Sequence, residues 1–444
     1  MSNAVILSAA RTPIGKLGGT LAAFPATTLG GEAIRAAVER SGLDPAEVEH
    51  VIMGQVIQAG VGQAPARQAS FKAGLAKTVT SETINKVCAS GMLAVANAAR
   101  YLRAGDFHVI VAGGMESMSN APYLLQQGRF GYRFGDGKLI DAMTNDGLWD
   151  YFLDITMARA GALVAKELGM TREAQDEFAY NSHKRATDAA AKGLFKDEIV
   201  TLKVATKAKG KFVVDQIPQT ARARVPVHAG GNGKSGLWSH EAPEHMQADS
   251  KKYSPYVTGD IPHTVFERDE SVRAEASLET MAKLAPIDKD GTITAGNAPG
   301  VNDAAAALVL ASEEYAKAHG AQVLGTVVDH ATAAWDPPYL ALTPAMAAEK
   351  LLEKNGLSVN DIALWEINEA FSSVVLTSFG KLGVDYDKVN VQGGAVAMGH
   401  PIGMSGARII ATLAHQLRRR GGGLGIAAIC SGGGQGDAIL IRVD

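Results

Sequence analysis

Residues 85–91 read Asn-Lys-Val-Cys-Ala-Ser-Gly and join a strand-like stretch to a helix-like one. Residues 81–87 alternate and contain β-branched side chains, which is typical of a strand. Residues 91–103 are rich in Ala, Leu and Met at helical spacing, which predicts a helix. We therefore expect Cys88 at the start of a helix, where the positive end of the helix dipole lowers the pKa of a thiol. Such a cysteine is a candidate nucleophile, and a small apolar cysteine buried at the junction is the alternative.

The order of helix and strand patterns around Cys88 recurs near the other end of the chain. Gly42 and Gly356 each end a helix-like run and lie 314 residues apart, while Cys88 and His400 lie 312 residues apart. Both Cys88 and His400 are followed by a helical pattern and then by an apolar strand pattern. Apolar strands that alternate with helices predict an α/β protein with mixed or mostly parallel sheets and helices on both faces. The sequence thus predicts two similar halves with a reactive side chain at the same turn of each.

Composition and charge narrow the class of protein. A chain of 444 residues with 46% hydrophobic and 20% charged residues can form a globular core in two or three lobes. A net charge of -3 argues against a nucleic-acid surface, and two cysteines do not make a disulfide framework. No apolar run reaches membrane-spanning length, and residues 2–8 enter a strand pattern rather than a signal peptide. We therefore expect a cytoplasmic enzyme with neither nucleic acid nor membrane as a partner.

Three further segments carry residues with chemical potential. They are residues 366–371 (Glu-Ile-Asn-Glu-Ala-Phe), the glycine-rich residues 393–406 around His400, and residues 430–436 (Cys-Ser-Gly-Gly-Gly-Gln-Gly). Taken singly, each has a structural explanation: a helix cap, a loop histidine, or close packing of a glycine run. Taken with Cys88, they resemble the thiolases, and the whole chain follows the order of that family.

The thiolase resemblance implies a fold and a division into domains. The implied fold is α/β, with five layers αβαβα made of two duplicated halves, plus an inserted loop domain. The N-terminal half would comprise residues 1–119 with 302–322, and the C-terminal half residues 323–444. The loop domain would comprise residues 120–301 and cover the coenzyme A channel. It contains an enlarged insertion at about residues 205–262, a length at which loops are functional or partly disordered.

Four histidines lie in or just after that insertion: His228, His240, His245 and His263. Their spacing matches no metal-ligand signature, so a solvated insertion is the better interpretation. We expect no metal site and no tightly bound cofactor.

The resemblance also assigns chemical roles to five residues. Cys88 would carry the acyl group, and His400 would take its proton. Cys430 would move the α-proton, a task that suits a thiol because its reference pKa lies near the operating pH. A water held by Asn368 would stabilise the enolate oxygen together with His400. The backbone N–H groups of Cys88 and Gly432 would bind the oxyanion of the tetrahedral intermediate.

Residues for coenzyme A follow from the same resemblance. Arg273 matches an arginine that meets the adenine end, and Met157 matches a methionine over the pantetheine. Thr156 stands where the family has a histidine, and Pro299 stands where it has a pocket serine. These departures leave the preference for acyl-chain length open.

Within the family, the chain looks most like the biosynthetic acetoacetyl-CoA type, on the motif around Cys88, residues 113–119 (Gly-Gly-Met-Glu-Ser-Met-Ser) and the segment around His400. This implies an acetyl-CoA C-acetyltransferase of lipid metabolism that takes coenzyme A and acetyl-CoA as substrates. The alternatives are a degradative 3-oxoacyl-CoA thiolase, a non-catalytic acyl-CoA or lipid carrier on the same scaffold, and, with less support, a cysteine hydrolase. The resemblance further implies a homotetramer built from dimers, with a tetramerisation loop near residues 124–139.

Overall fold

The structure is a computed structural model that describes residues 3–205, 263–289 and 291–444. Its strands are β1 (Ala4–Arg11), β2 (Gly15–Lys16), β3 (His50–Gly54), β4 (Thr80–Ile84), β5 (Val109–Ser117), β6 (Tyr123–Leu124), β7 (Ile140–Asp141), β8 (Trp149–Asp150), β9 (Ile155–Thr156), β10 (Leu202–Ala205), β11 (His263–Phe266), β12 (Asn302–Ser312), β13 (Gly325–Ala334), β14 (Leu364–Ile367), β15 (Gly423–Ser431) and β16 (Gln435–Val443). Its α-helices are α1 (Ala26–Ser41), α2 (Pro65–Lys72), α3 (Ser90–Ala104), α4 (Met157–Glu167), α5 (Arg172–Ala191), α6 (Leu278–Ala282), α7 (Glu313–Ala318), α8 (Thr343–Lys354), α9 (Ser372–Leu382), α10 (Ala395–Met398) and α11 (Ser405–Arg419).

Two glycines end equivalent helices of the two halves. Gly42 follows α1 with φ 73°, and Gly356 follows α8 with φ 63°. This left-handed conformation is open to glycine and costly for residues with a Cβ, so it stops the helix. A strand follows each stop after a short 3₁₀ turn, so the two halves share this arrangement.

One continuous sheet joins the two halves. Its strand order is β4-β3-β5-β12-β1-β13-β16-β15-β14, and the halves meet where Ala4–Ile6 of β1 pair with residues 325–327 of β13. Outward from this junction, strands β1, β12, β5 and β3 of one half correspond in order to strands β13, β16, β15 and β14 of the other. This correspondence indicates a duplication. Strand β3 is parallel to β4 and β5, and β14 is parallel to β15, while β1, β12, β13 and β16 pair antiparallel. The sheet is therefore mixed rather than mostly parallel.

Five layers follow from the alternation of side chains along the buried strands. In β5, Val109 and Val111 face the core formed with α1 and α2, while Ile110 and Ala112 face the core formed with α3 and α11. On the other half of the sheet, a third core is formed with α8 and α9. Helices α3 and α11 thus lie between the two halves of the sheet, and the predicted αβαβα fold is confirmed.

Residues between β5 and β12 build smaller elements around this frame. They include helices α4 and α5 and a strand pair in which Ala205 of β10 is opposite His263 of β11. The insertion expected at about 205–262, with His228, His240 and His245, lies almost entirely outside the described residues. His263 is exposed, and the described ranges contain no group of three or more His, Cys, Asp or Glu side chains that could hold a metal ion. None of the helices described here has the length and apolar character needed to cross a membrane.

Candidate active site

Cys88 lies in a strained turn between β4 and α3. The residue before it, Val87, has φ 46°, a conformation that is rare for a β-branched side chain. Two side chains hold the turn: Asn85 Oδ1 accepts from the Val87 N–H at 3.0 Å, and Ser90 Oγ accepts from the Lys86 N–H at 2.8 Å. Backbone strain of this kind costs about 1–3 kcal/mol and concentrates at functional sites. The turn is therefore a candidate site on its geometry alone.

His400 is fixed in orientation and tautomer by its own loop. Its backbone N–H donates to Asn302 Oδ1 at 2.9 Å, and its Nδ1 lies 2.6 Å from Ser405 Oγ. The Ser405 hydroxyl donates its hydrogen to the Pro401 carbonyl at 2.9 Å. Because a hydroxyl has one hydrogen, Ser405 Oγ must accept from His400 Nδ1–H. Nε2 of the neutral imidazole then carries a lone pair and no hydrogen, as a general base requires.

Asn368 lies beside that lone pair. It follows β14 directly, and its Nδ2 lies 3.5 Å from His400 Nε2. Its Oδ1 is buried and has no hydrogen-bond partner among the residues that the structure describes. Buried polar atoms in proteins are nearly always hydrogen-bonded, by water where no protein group serves. The side-chain amide of Asn368 is therefore suited to bind a small polar group next to His400.

The loops of Cys88 and His400 are brought together by the helices that follow them. A Cβ on Gly91 of α3 would lie 2.9 Å from the backbone nitrogen of Ala407 in α11, and Gly406 approaches Met92 as closely from the other side. Only glycine permits such an approach of two backbones. The two helix starts are thus held against each other, with Cys88 at one and His400 at the other.

The second cysteine reaches the same place from β15. Cys430 lies at the carboxyl end of this strand, opposite Gly436 of β16, and is buried. The backbone N–H groups of Cys88 and Gly432 lie near enough to the Cys88 thiol to lower its pKa. A charge on Cys88 would raise the pKa of the Cys430 thiol, so the two thiols are close enough to interact. The structure therefore forms two neighbouring groups of candidate residues. One contains Cys88, Cys430 and Gly432, and the other contains His400 and Asn368.

The pKa values of Cys88 and His400 indicate that both side chains are uncharged in the resting enzyme. Cys88 is half-buried, and desolvation of its thiol raises its pKa to about 12, with the Glu116 carboxylate adding to the rise and two N–H groups opposing it. Burial, aided by the Arg408 cation, lowers the pKa of His400 to about 3. The expectation that the helix start lowers the pKa of Cys88 is therefore wrong, because desolvation outweighs the dipole. At neutral pH the pair is a thiol and an uncharged imidazole.

Comparison with known protein families decides the family. A family model described as the thiolase N-terminal domain matches residues 4–225 and 244–314, and one described as the thiolase C-terminal domain matches residues 321–443. This chain belongs to the thiolase family.

Individual thiolases match over their full length. An acetyl-CoA acetyltransferase of Cupriavidus necator is 43% identical over 443 residues, with 100% of both chains covered. The acetyl-CoA acetyltransferase of Escherichia coli is 43% identical over 444 residues, covering 100% of this chain and 99% of that one. The crystal structure of the Bacillus anthracis acetyl-CoA acetyltransferase superposes with a TM-score of 0.86 at 38% identity, covering 100% of this chain and 99% of the other. The predicted family, fold and acyltransferase class are confirmed.

Three residues that hold the site of this thiolase were given no role by the sequence. Asn302 and Ser405 orient His400, as described above. Glu116 accepts the backbone N–H groups of Val56 at 3.0 Å, Ile57 at 3.2 Å and Gly403 at 3.0 Å, and burial raises its pKa to about 8. Glu116 thus ties the loop after β3 to the His400 loop. Glu116 and Ser405 lie in segments that the sequence singled out, residues 113–119 and 393–406, whereas Asn302 lies in neither.

The residues expected to meet coenzyme A lie at different depths. Met157, at the start of α4, packs against the cluster that contains Cys430. Thr156 caps α4, its Oγ1 accepting from the Arg159 N–H at 3.2 Å, and Pro299 is half-buried in the loop before β12. Arg273 is exposed, and its backbone N–H donates to His183 Nδ1 at 3.2 Å. The structure therefore places Met157 beside the second cysteine and gives Arg273 no described contact with the catalytic candidates.

Proposed function

We propose that this thiolase is an acetyl-CoA C-acetyltransferase, which condenses two acetyl-CoA molecules to acetoacetyl-CoA and CoA or runs the reverse thiolysis. The observation that carries the proposal is the close approach of α3 and α11, which start beside Cys88 and His400, together with the position of Cys430, where a charge on Cys88 raises its pKa. The relatives named acetyl-CoA acetyltransferases support acetyl transfer as the reaction.

Acylation of Cys88 begins from the neutral pair. As the sulfur attacks the thioester carbonyl, its proton moves to His400 Nε2, and the Nδ1–H bond to Ser405 steadies the imidazolium that forms. The N–H groups of Cys88 and Gly432 then bind the oxyanion, each such donor being worth about 2.7–4 kcal/mol in known enzymes. Collapse of the intermediate breaks the carbon–sulfur bond to coenzyme A. The departing thiolate takes the proton of Cys430, which leaves Cys430 as a thiolate.

Condensation uses the thiolate that acylation produces. Burial raises the pKa of Cys430 well above its ordinary value, which makes its thiolate a strong base for the weakly acidic α-carbon of a second acetyl-CoA. His400 still holds the proton on Nε2 and donates it as a hydrogen bond to the enolate oxygen. A water bound to the amide of Asn368 supplies the second donor. The enolate attacks the acyl group, Cys88 leaves as thiolate, and its proton returns from His400.

Coenzyme A is proposed to enter past the loop domain, residues 120–301. The packing of Met157 on the Cys430 cluster supports a place for it along the pantetheine, with Thr156 and Pro299 lining the same approach. The exposure of Arg273 is compatible with a contact to the adenine end, which lies farthest from the chemistry. Residues 1–119 with 302–322 and residues 323–444 would form the two halves that hold the reacting groups.

We also propose a homotetramer that acts in lipid metabolism in the cytoplasm. Strand β4 ends the described sheet, so its free edge suits pairing across a two-fold axis. The segment between β6 and β7 exposes large apolar side chains, with Phe130 87% and Phe134 101% exposed. Exposed apolar clusters of this kind mark interaction surfaces. Light scattering should give a tetramer mass, and a stable monomer at micromolar concentration would contradict this assembly.

Thiolysis rates over a series of 3-oxoacyl-CoA chain lengths test the proposed reaction. The acetyltransferase predicts the highest kcat/KM for acetoacetyl-CoA. Rates that rise with chain length would favour the degradative 3-oxoacyl-CoA thiolase instead. Acyl-CoA binding without turnover and without acylation of Cys88 would favour a carrier.

A further inference from the structure

Lys86 connects the nucleophile turn to the other half of the protein. It precedes the strained Val87, and its backbone carbonyl accepts a hydrogen bond from Ser431 Oγ, the residue directly after Cys430. Its ammonium group forms an ion pair with Asp437 Oδ2 at 2.7 Å. Both ends of one residue of the Cys88 turn are therefore bound by the β15–β16 hairpin.

The Asp437 carboxylate is fully buried and has a second partner. His330 Nε2 lies 2.9 Å from Asp437 Oδ1, and Arg100 Nη2 lies 3.1 Å from His330 Nδ1. Because a guanidinium only donates, His330 Nδ1 must accept, so Nε2 carries the hydrogen and donates to Asp437. A buried carboxylate is costly unless such partners satisfy it. Lys86 supplies the one cation that contacts this carboxylate in the described part of the chain.

The position of Asp437 relates this ion pair to the reacting groups. Asp437 follows Gly436, which pairs with Cys430 across the β15–β16 hairpin. A Cβ on Gly432 would contact the Val87 side chain at 3.4 Å, so these two segments already touch. The N–H of Gly432 lies near enough to the Cys88 thiol to lower its pKa. Any shift of the turn relative to the hairpin therefore changes the alignment of Cys88 with both Gly432 and Cys430.

We propose that the Lys86–Asp437 ion pair positions the Cys88 turn against Gly432 and Cys430, and that both residues of the pair are positioning residues for the reaction. Neither contacts the reacting atoms. The kinetic part of this inference rests on the proposed function, whereas its geometric part does not. The approach of Cys88 to His400 has its own support, because α3 and α11 are held together at Gly91.

Two consequences distinguish this role from general stabilisation. Loss of the ion pair should lower kcat, because the Gly432 N–H and the Cys430 thiol act in the transition states, and should leave KM nearly unchanged. The two residues should also act as a unit, so that removing both costs no more than removing one.

Kinetics of five variants test these consequences: Lys86→Met, Asp437→Asn, the double variant, Lys86→Arg and the control Lys354→Met. Lys354 forms an ion pair of the same 2.7 Å length with Asp329, on the strand that carries His330, but is 60% exposed. We expect Lys86→Met and Asp437→Asn to lower kcat at least about tenfold with KM within about twofold. Lys86→Arg should retain most activity, the double variant should match the single ones, and Lys354→Met should match wild type. A folded Lys86→Met or Asp437→Asn protein with wild-type kcat, or strictly additive losses, would overturn the proposal.

A second measurement needs no turnover. Dibromobimane becomes fluorescent only when it links two thiols, and Cys88 and Cys430 are the only cysteines of the chain. We expect Lys86→Met and Asp437→Asn to lower the yield of the link several-fold, while Lys86→Arg and Lys354→Met leave it unchanged. An unchanged yield in Asp437→Asn, the variant closest in shape, would contradict the positioning role. If wild type gave the link but no acetylation or turnover, the proposed function would fail while the geometric inference stood.

Discussion

Nδ1 of His400 lies 2.6 Å from Oγ of Ser405, and the hydrogen of that hydroxyl is already given to the Pro401 carbonyl. The serine therefore acts as an acceptor and determines which nitrogen of the histidine carries the proton. It leaves Nε2 unprotonated beside Asn368, 3.5 Å away. Ser405, the first residue of α11, thus determines the tautomer of His400 and with it the availability of Nε2 as a base.

Ser405→Ala should lower kcat by about ten- to a hundredfold, because the imidazole loses the bond that fixes its tautomer. KM should change little, since Ser405 does not reach the substrate. Ser405→Thr keeps a hydroxyl and should retain more activity. The matched control is Ser8→Ala, another buried hydroxyl that donates to a backbone carbonyl, Ala37 O, and it should leave kcat unchanged. Wild-type kcat in Ser405→Ala would show that the tautomer is set elsewhere.

Alkylation of Cys88 should depend on pH as expected for a thiol with a raised pKa. Burial raises the pKa of Cys88 to about 12, so only the small thiolate fraction reacts at neutral pH. The rate at the Cys88 peptide should rise about tenfold per pH unit up to pH ~9, without the plateau of a free cysteine near pH ~8.5. A free cysteine peptide in the same tube is the control. A plateau at or below neutral pH would mean that the resting residue is a thiolate.

Cys430→Ser should separate the two halves of the reaction. Cys88 keeps its histidine and its N–H donors, and the His400 imidazolium can protonate the departing thiolate in place of Cys430, so acetyl-CoA should still acetylate Cys88. Exchange of the acetyl-CoA methyl protons with solvent should largely disappear, because a serine hydroxyl loses its proton far less readily than the Cys430 thiol and so provides no comparable base. NMR of acetyl-CoA in deuterated buffer measures the exchange, with wild type as reference. Normal exchange in the variant would identify another residue as the base.

Replacing residues 206–262 with a short Gly-Ser linker should spare the chemistry. Ala205 and His263 are cross-strand partners, so a short connection can join β10 to β11. We expect kcat for acetoacetyl-CoA within about tenfold of wild type, a barrier change below ~1.4 kcal/mol. KM or the chain-length profile should change instead. A folded deletion variant that acylates Cys88 but loses kcat by orders of magnitude would place the insertion in catalysis.

The sequence predicted those features that depend on local pattern and repetition. The strand–helix junction at Cys88, the glycine stops at Gly42 and Gly356, and the duplicated plan are all confirmed. The four segments with Cys88, Asn368, His400 and Cys430 indicated the family because each keeps its own short motif.

Features that depend on distant contacts were not predictable in this way. The pKa of Cys88 follows from burial by tertiary packing, which a helix-dipole argument from sequence leaves out. The hydrogen bond from Ser431 to Lys86 joins residues 345 positions apart, and that from His400 to Asn302 crosses 98 positions. Neither pair carries a spacing that indicates contact. The mixed sheet also follows from the pairing of β1 with β12 and β13, which alternation of strands and helices does not specify.

The central claim is that Cys88 carries the acyl group, and mass spectrometry tests it most directly. Protein incubated with acetyl-CoA and digested with trypsin should show one added acetyl group on the peptide that contains Cys88, and Cys88→Ala should abolish turnover. A label confined to the Cys430 peptide, or turnover that survives in Cys88→Ala, would contradict the account.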